Sequence, residues 1–299
     1  MPASSDAPVL VIGEVLWDAL PRGLFLGGAP FNVAAHLHTL GLDVRFVSRI
    51  GDDRLGREVR RRITQRGIGD GLLQIDPTYE TGFVEVAVDG AGLPSYTIVQ
   101  PVAWDHLAWT GSLAEAARVA RMVVFGSLAQ RNATTRNTLQ HVLDTATAAT
   151  VVFDINLRAP HEDAGVVEAS LHRAQVVKLN DDELARLQDW YGLPGGQDAA
   201  AETLMDRFGL TTLCVTLGAD GAILWHDGER HAHRGHPTTV VDTVGAGDSF
   251  LAMLLRGLLA GDDAPLALDR ANRLGAFVAG QPGATPAYSY ADLFDESSF

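Results

Sequence analysis

Residues 242–250, DTVGAGDSF, set Gly245, Ala246 and Gly247 directly before Asp248, and the apolar run FLAMLLRGLLA follows. The pattern predicts a helix that begins at the glycines. The first amides of a helix have no intrahelical partner and carry partial positive charge. Glycine lets them approach an anion closely. Gly245, Ala246 and Gly247 are therefore a candidate anion cradle. Asp248 would repel an anion, so its part must differ. A carboxylate there can take the proton from a hydroxyl that attacks a phosphoryl group held by the amides. The helix dipole alone also favours an acidic residue in a first turn, so the stretch needs support from elsewhere in the chain.

A second glycine-led helix start, LGGAPFNVAAHLHTLG at 26–41, supplies it. Gly27 and Gly28 precede the turn, and Asn32 within it offers both donor and acceptor groups. Upstream, GEVLWD puts Asp18 near the end of the first strand, where ligands of open α/β sheets collect. Bare backbone, a neutral amide and a carboxylate that can accept from two hydroxyls suit a polyhydroxylated ligand. Other phosphate motifs do not fit. No G-x-x-x-x-G-K-[ST] occurs, and GAGDSF has phenylalanine in place of the third glycine of a dinucleotide fingerprint.

The 299 residues are 46% hydrophobic, enough for a large core. The formal charge of −14 argues against a nucleic-acid surface. Cys214 is the only cysteine, so no intrachain disulfide forms, which suits a reducing cytoplasm. It lies in the apolar run TTLCVTL and reads as a core residue. MPASSDAPVL lacks the basic and apolar regions of a signal peptide. No apolar run reaches the length of a membrane span. These features predict a cytoplasmic protein with no membrane or nucleic-acid partner.

Runs such as VLVIG, VRFVSRIG, RMVVFG, ATVVFD, AQVVKLN and TTLCVTL alternate with helical stretches. That pattern predicts a parallel sheet covered by helices on both faces. Pro30 and Gly41 bracket one helix; Asp52 or Asp53 and Gly67 bracket another. From about 80 to 102 the alternation breaks. Phe83, Val84, Val86 and Val88, the turn DGAGLP, and then Tyr96, Ile98 and Val99 read as a hairpin. A lone hairpin is marginal in water, so it needs a partner, and we read it as a small lid. GAILWHDGERHAH is a second hairpin, turning at Asp227–Gly228. His36 and His38 fall on different helix faces. His231, His233 and His236 have no thiolate or spaced partner to suggest zinc, and read as exposed hairpin.

These stretches carry a resemblance. GGAPFNVAAHLHTLG, with Gly51 beyond it, is similar to the first signature of the ribokinase/PfkB sugar kinase family, and DTVGAGDSF to the second. The resemblance spans essentially the whole chain, 1–299, as one ribokinase-like three-layer α/β/α domain with a mostly parallel sheet. A small β-lid comes from about 14–28 and 80–102. It implies ATP and Mg²⁺ as cofactors. Asp248 would be the base, Gly245, Ala246 and Gly247 the anion hole, and Asp18, Gly27, Gly28 and Asn32 the sugar contacts. KLNDDEL resembles the family's N-x-x-E motif through Asn180 and Glu183, which would organise Mg²⁺ and phosphate, largely through water. TLGADGA resembles the nucleotide loop, with Thr216, Gly218 and Gly221. Asn272 matches an adenine-side position. GQPGATPA, 280–287, resembles the segment that closes a monovalent-cation site with Asp242. The serine that ends it in some relatives is Ala287 here, which leaves a K⁺ requirement open.

GEVLWD, LGGAPFN, PVAWDHL and FDINLR look most like bacterial fructokinases. In DINLR, Ile155 replaces the usual proline, and Arg158 keeps its spacing from Asp154, near substrate or transferring phosphate. Met253 stands where relatives carry a small residue. The expected reaction is transfer of the ATP γ-phosphate to a primary hydroxyl of a small sugar, fructose first. 2-Keto-3-deoxygluconate, ribose or a nucleoside are alternatives, as is a non-catalytic sugar-binding regulator. The lid stretch carries no Lys or Arg, which favours an uncharged sugar. A hairpin apolar on both faces predicts a homodimer through the lids, with Tyr96 nearest the sugar.

Overall fold

Continuous Val, Ile, Leu and Phe runs become buried strands in the computed structural model, which describes residues 7–20, 23–88 and 94–294. Nine strands form one sheet: β1 (Val9–Ile12), β4 (Val44–Gly51), β5 (Leu73–Asp76), β8 (Met122–Gly126), β9 (Thr150–Asp154), β10 (Val176–Asn180), β11 (Thr212–Thr216), β12 (Ala222–His226) and β13 (Glu229–His233). The spatial order is β13-β12-β11-β10-β9-β8-β1-β4-β5. The strands from β5 to β11 run parallel, and β12 and β13 add an antiparallel edge. Strand order reverses at β1, whose neighbours are β4 and β8, and ligands of such sheets bind beyond the carboxyl ends at that reversal.

Side-chain alternation explains why the strands are apolar throughout. Val9 and Val11 of β1 point into one core, with the helices Ala29–Thr39, Ala246–Ala260 and Ala264–Ala279. Leu10 and Ile12 point into the other, with Val142, Leu143, Leu184, Leu187 and Leu204. The sheet thus has two covered faces, as the sequence predicts. Met253 is fully buried in the first core. The predicted caps hold: Asp53 accepts from Gly56 N at 2.7 Å, Pro30 lies in the first turn of its helix, and Gly41 and Gly67 have φ of 87° and 82°. β5, LQID, is half exposed and carries no apolar run, so periodicity alone does not announce it.

A second sheet has the order β3-β2-β6-β7, from β2 (Leu16–Leu20), β3 (Gly23–Gly27), β6 (Gly82–Val88) and β7 (Pro94–Ile98). β6 and β7 pair antiparallel with Val86 opposite Tyr96, and β2 joins β6 in parallel, Asp18 opposite Val84. The expected hairpin is therefore present and gains its partners from 16–27. Residues 89–93 and the side chains of Val86, Val88 and Tyr96 lie outside the described residues. No helix among the described residues is long and apolar enough to cross a membrane.

At the β11–β12 turn, Gly221 has φ 88°, and a Cβ there would collide with the His233 carbonyl and the Gly235 amide. Both conformation and space exclude a side chain. Gly221→Ala should lower stability by more than about 2 kcal/mol, a fall of at least about 4 °C in thermal midpoint. An unchanged midpoint would show that 233–235 yields freely.

Candidate active site

The two glycine-led helix starts meet. Asn32, in the first turn of Ala29–Thr39, donates from Nδ2 to Asp248 Oδ2 at 2.8 Å, and both residues are buried. Asp248 lies in the first turn of Ala246–Ala260, whose cap Gly245 has φ 81°. A Cβ on Gly245 would stand 2.6 Å from Ala284 Cβ, so the cradle backbone packs bare against 284. Gly28 has φ 105°, and a Cβ there would come within 2.6 Å of the Glu14 carbonyl oxygen. These glycines are required by close approach. Asn32 Oδ1 is buried with no partner, an acceptor waiting for a donor.

Burial raises the Asp248 carboxyl to about 6. The Asp154 charge adds to this, and the Asn32 hydrogen bond, Lys178 and Arg158 oppose it. Asp18, half-buried on β2, is likewise raised by burial to about 6 against the pull of Arg158. Its Oδ2 leans over Gly27, 2.5 Å from where a Cβ would sit. Arg158 is exposed and bonds the Leu157 carbonyl at 2.8 Å, yet its charge acts on Glu14, Asp18 and Asp248. It stands at the rim of the same site.

Asn180 ends β10 and caps the helix Asp181–Tyr191 in a reciprocal box. Glu183 N donates to Asn180 Oδ1 at 2.7 Å, and Asn180 N donates to Glu183 Oε2 at 2.8 Å. Glu183 Oε1 accepts from Leu157 N at 2.8 Å, which ties this helix start to the DINLR loop. Glu183 is buried, and burial raises its carboxyl above the ordinary range. Each of its oxygens accepts one backbone N–H and keeps a second lone pair. That donor set suits a divalent ion held through its water shell rather than by direct ligation. Thr216 is the register partner of Asn180 across β10 and β11, and Gly218 at φ 59° opens the turn that Gly221 closes. Asp242 accepts from Val244 N at 3.1 Å and Gly283 N at 3.3 Å, which clasps the 280–287 segment to the approach of the cradle. Asn272 is buried on the helix Ala264–Ala279, and its Nδ2 donates to Leu268 O, one turn back, at 2.8 Å.

Three charged groups join the site that motif reading did not assign. Lys178 on β10 donates from Nζ to Asp154 Oδ1 on β9 at 3.0 Å, both side chains almost wholly buried. Burial disfavours the ammonium, but Asp154, Glu183 and Asp248 outweigh it and raise its pKa. Glu14, just past β1, is 3% exposed with Oε2 unpartnered, and burial lifts its carboxyl to about 7. The signal was present: a charge inside an otherwise apolar parallel strand, VVKLN or VVFD, needs a reason. His36 is a further support, one turn after Asn32. Its Nε2 donates to Ala284 O at 2.9 Å, so Nδ1 accepts from Tyr288 OH at 2.9 Å, and burial lowers it to about 4. It holds 284–288 in place as a neutral imidazole.

The hairpin histidines divide. His233 and His236 converge on Asp269 Oδ1, at 3.1 and 3.0 Å, rather than standing exposed as the sequence suggests, and His231 stays apart. His233 Nδ1 accepts from Gly235 N, which puts its proton on Nε2 toward Asp269. Both ring nitrogens of His233 are thus used within the protein.

A parallel α/β sheet with two joined glycine-led helix starts and a carboxylate between them defines a ribokinase-like phosphotransferase. The chain matches the model of the pfkB family of carbohydrate kinases over residues 22–289, and it belongs to that family. It is 30% identical to the fructokinase of Escherichia coli, covering 94% of this chain and 96% of that one. The ATP-bound fructokinase of Xylella fastidiosa superposes with a TM-score of 0.81 at 25% identity over 94% of each chain. The fructokinase of Vibrio cholerae O395 with fructose, ADP and calcium also gives 0.81 at 25% identity, over 97% and 98% of the two chains. The protein is a kinase that uses ATP and a divalent metal to phosphorylate a sugar hydroxyl.

If Asp248 is the base, it works ionised, so kcat/KM should fall as pH drops through about 6. Asp248→Asn should lose about 10²–10⁴-fold in kcat while sugar binding, followed by calorimetry, survives. Turnover like wild type in the folded variant would remove Asp248 from the chemistry.

Proposed function

We propose that this kinase is a fructokinase with Asp248 as its base. The observation that supports the chemistry is the Asn32–Asp248 hydrogen bond beside the bare cradle backbone, which joins a buried carboxylate to both glycine-led helix starts. The sugar rests on Asp18, Asn32 and the backbone of Gly27 and Gly28. Its primary hydroxyl gives its proton to Asp248 as the oxygen attacks the terminal phosphorus of ATP and the bond to the ADP oxygen breaks. The amides of Gly245, Ala246 and Gly247 meet the charge on the transferring oxygens. When bound, Mg²⁺ draws negative charge from the phosphate oxygens. Asn180 and Glu183 would hold its water shell, and Arg158 would face the substrate or the phosphate from the rim. Thr216, Gly218 and Gly221 form the nucleotide side, Asn272 lies toward the base, and Asp242 would take a monovalent cation.

Fructose is favoured over charged substrates because β2, β3, β6 and β7 contain no Lys or Arg. The fructokinases at about the same length point the same way. The second sheet acts as the lid, covering the sugar and excluding water. Two lids packed face to face would form a symmetric homodimer. A single buried thiol fits a cytoplasmic enzyme.

An ADP-release assay over fructose, ribose, 2-keto-3-deoxygluconate and a nucleoside should give fructose the highest kcat/KM, by at least about tenfold. Another winner would replace fructose and leave the kinase standing. Light scattering at micromolar concentration should return twice the chain mass; a monomer would end the lid-dimer reading alone.

A further inference from the structure

We propose that Lys178, anchored by Asp154, is the side-chain cation of the anion hole and donates hydrogen bonds to the phosphoryl group in transfer. The proposal deepens the kinase reading and rests on it. Lys178 Nζ lies 3.3 Å from where a Cβ on Gly247 would stand, so the ammonium abuts the last residue of the cradle, next to Asp248. Of its three N–H groups one bonds Asp154 at 3.0 Å, and Nζ makes no other bond among the described residues. The remaining donors are free for an anion.

A purely structural pair is the competing explanation, and the details oppose it. Two buried ions gain little over a well-packed apolar pair unless every lone pair and proton is satisfied. Here Asp154 Oδ2 is buried without a partner, and Lys178 keeps unused donors. The pair is also held more firmly than its own bond requires. Ile155 N donates to Lys178 O at 3.0 Å, a bond that a proline at 155 could not make. This bond extends the β9–β10 ladder past Asp154 and fixes the backbone on both sides of the ammonium. Lys178 transfers no proton. The hydroxyl proton still goes to Asp248, and Lys178 offers charge and donors to the equatorial phosphoryl oxygens, where charge builds in transfer.

The test uses the full chain and three variants: Lys178→Met, Lys178→Arg, and Lys178→Met with Asp154→Asn, which removes both buried charges so that neither remains uncompensated. Lys178→Met and the double variant should lose about 10²–10³-fold in kcat, as for one anion-hole donor, with sugar KM within about threefold of wild type. Lys178→Arg should recover at least about tenfold of that loss, because it keeps the charge.

The kcat-against-KM split and the rescue by arginine are the readouts that a structural role would not move; the acid limb of kcat/KM follows the Lys178 charge at Asp248 in either case. The groups acting on Asp248 are Asp154, Lys178, Arg158 and Glu14, with the Asn32 hydrogen bond. Loss of Lys178 in Lys178→Met should move the limb to higher pH. A double variant with kcat within about threefold of wild type overturns the proposal. So does a loss shared by all three variants that tracks a lowered melting temperature and a raised sugar KM. A wild type that phosphorylates no sugar would instead defeat the kinase reading, which the panel assay decides first.

Discussion

Everything at this site answers to one constraint: four carboxyl groups and one ammonium are buried together at the carboxyl edge of a parallel sheet. Glu14, Asp154, Glu183 and Asp248 each have less than a tenth of their surface exposed, and Lys178 is among them. Stripping water from an ionised group is costly unless hydrogen bonds or opposite charge replace it. The chain meets that requirement differently at each place. Glu183 receives two backbone N–H groups, Asp154 receives the lysine, and Asp248 receives the Asn32 amide. Glu14 has an oxygen with no partner, and burial raises its carboxyl to about 7, which eases the cost of that burial by letting it take up a proton. The sheet order and the helix starts are what bring these donors within reach.

The glycines answer to close packing around the same site: Gly28 and Gly245 have positive φ and neighbours too close for a Cβ. The 284 segment lies on Gly245, and it is fastened in turn by His36, by Tyr288 through His36, and by the Asp242–Gly283 bond. The cradle is therefore a surface built from three separated parts of the chain.

The layered parallel sheet and the helix boundaries at Pro30, Asp53 and Gly67 could be read from periodicity and turn residues, because each depends on local chemistry. So could the pairing of a glycine-led helix start with Asp248. β5 could not, since a short half-exposed strand has no periodic mark. Nor could the Lys178–Asp154 pair, whose partners are 24 residues apart and meet only once β9 and β10 lie in register. Asn32 was placed near the sugar by motif, yet its bond to Asp248 spans 216 positions and is a property of the fold alone. Arg158 is on the surface, so its part in the site rests on the reach of its charge. Asn272 bonds within its own helix, and nothing in its spacing announces that.

Cys214 has a practical consequence. It lies in the middle of β11 with no exposed surface, and burial lifts its thiol to about 12. At neutral pH it is neither ionised nor reachable, so alkylating reagents should pass it by. Any cysteine introduced on the surface would be the sole reactive thiol in the chain. The protein thus comes with a chemically silent background: a pair of labels, one on the edge strand β3 and one on the large sheet, could report the distance between the two sheets without first stripping the chain of native sulfur.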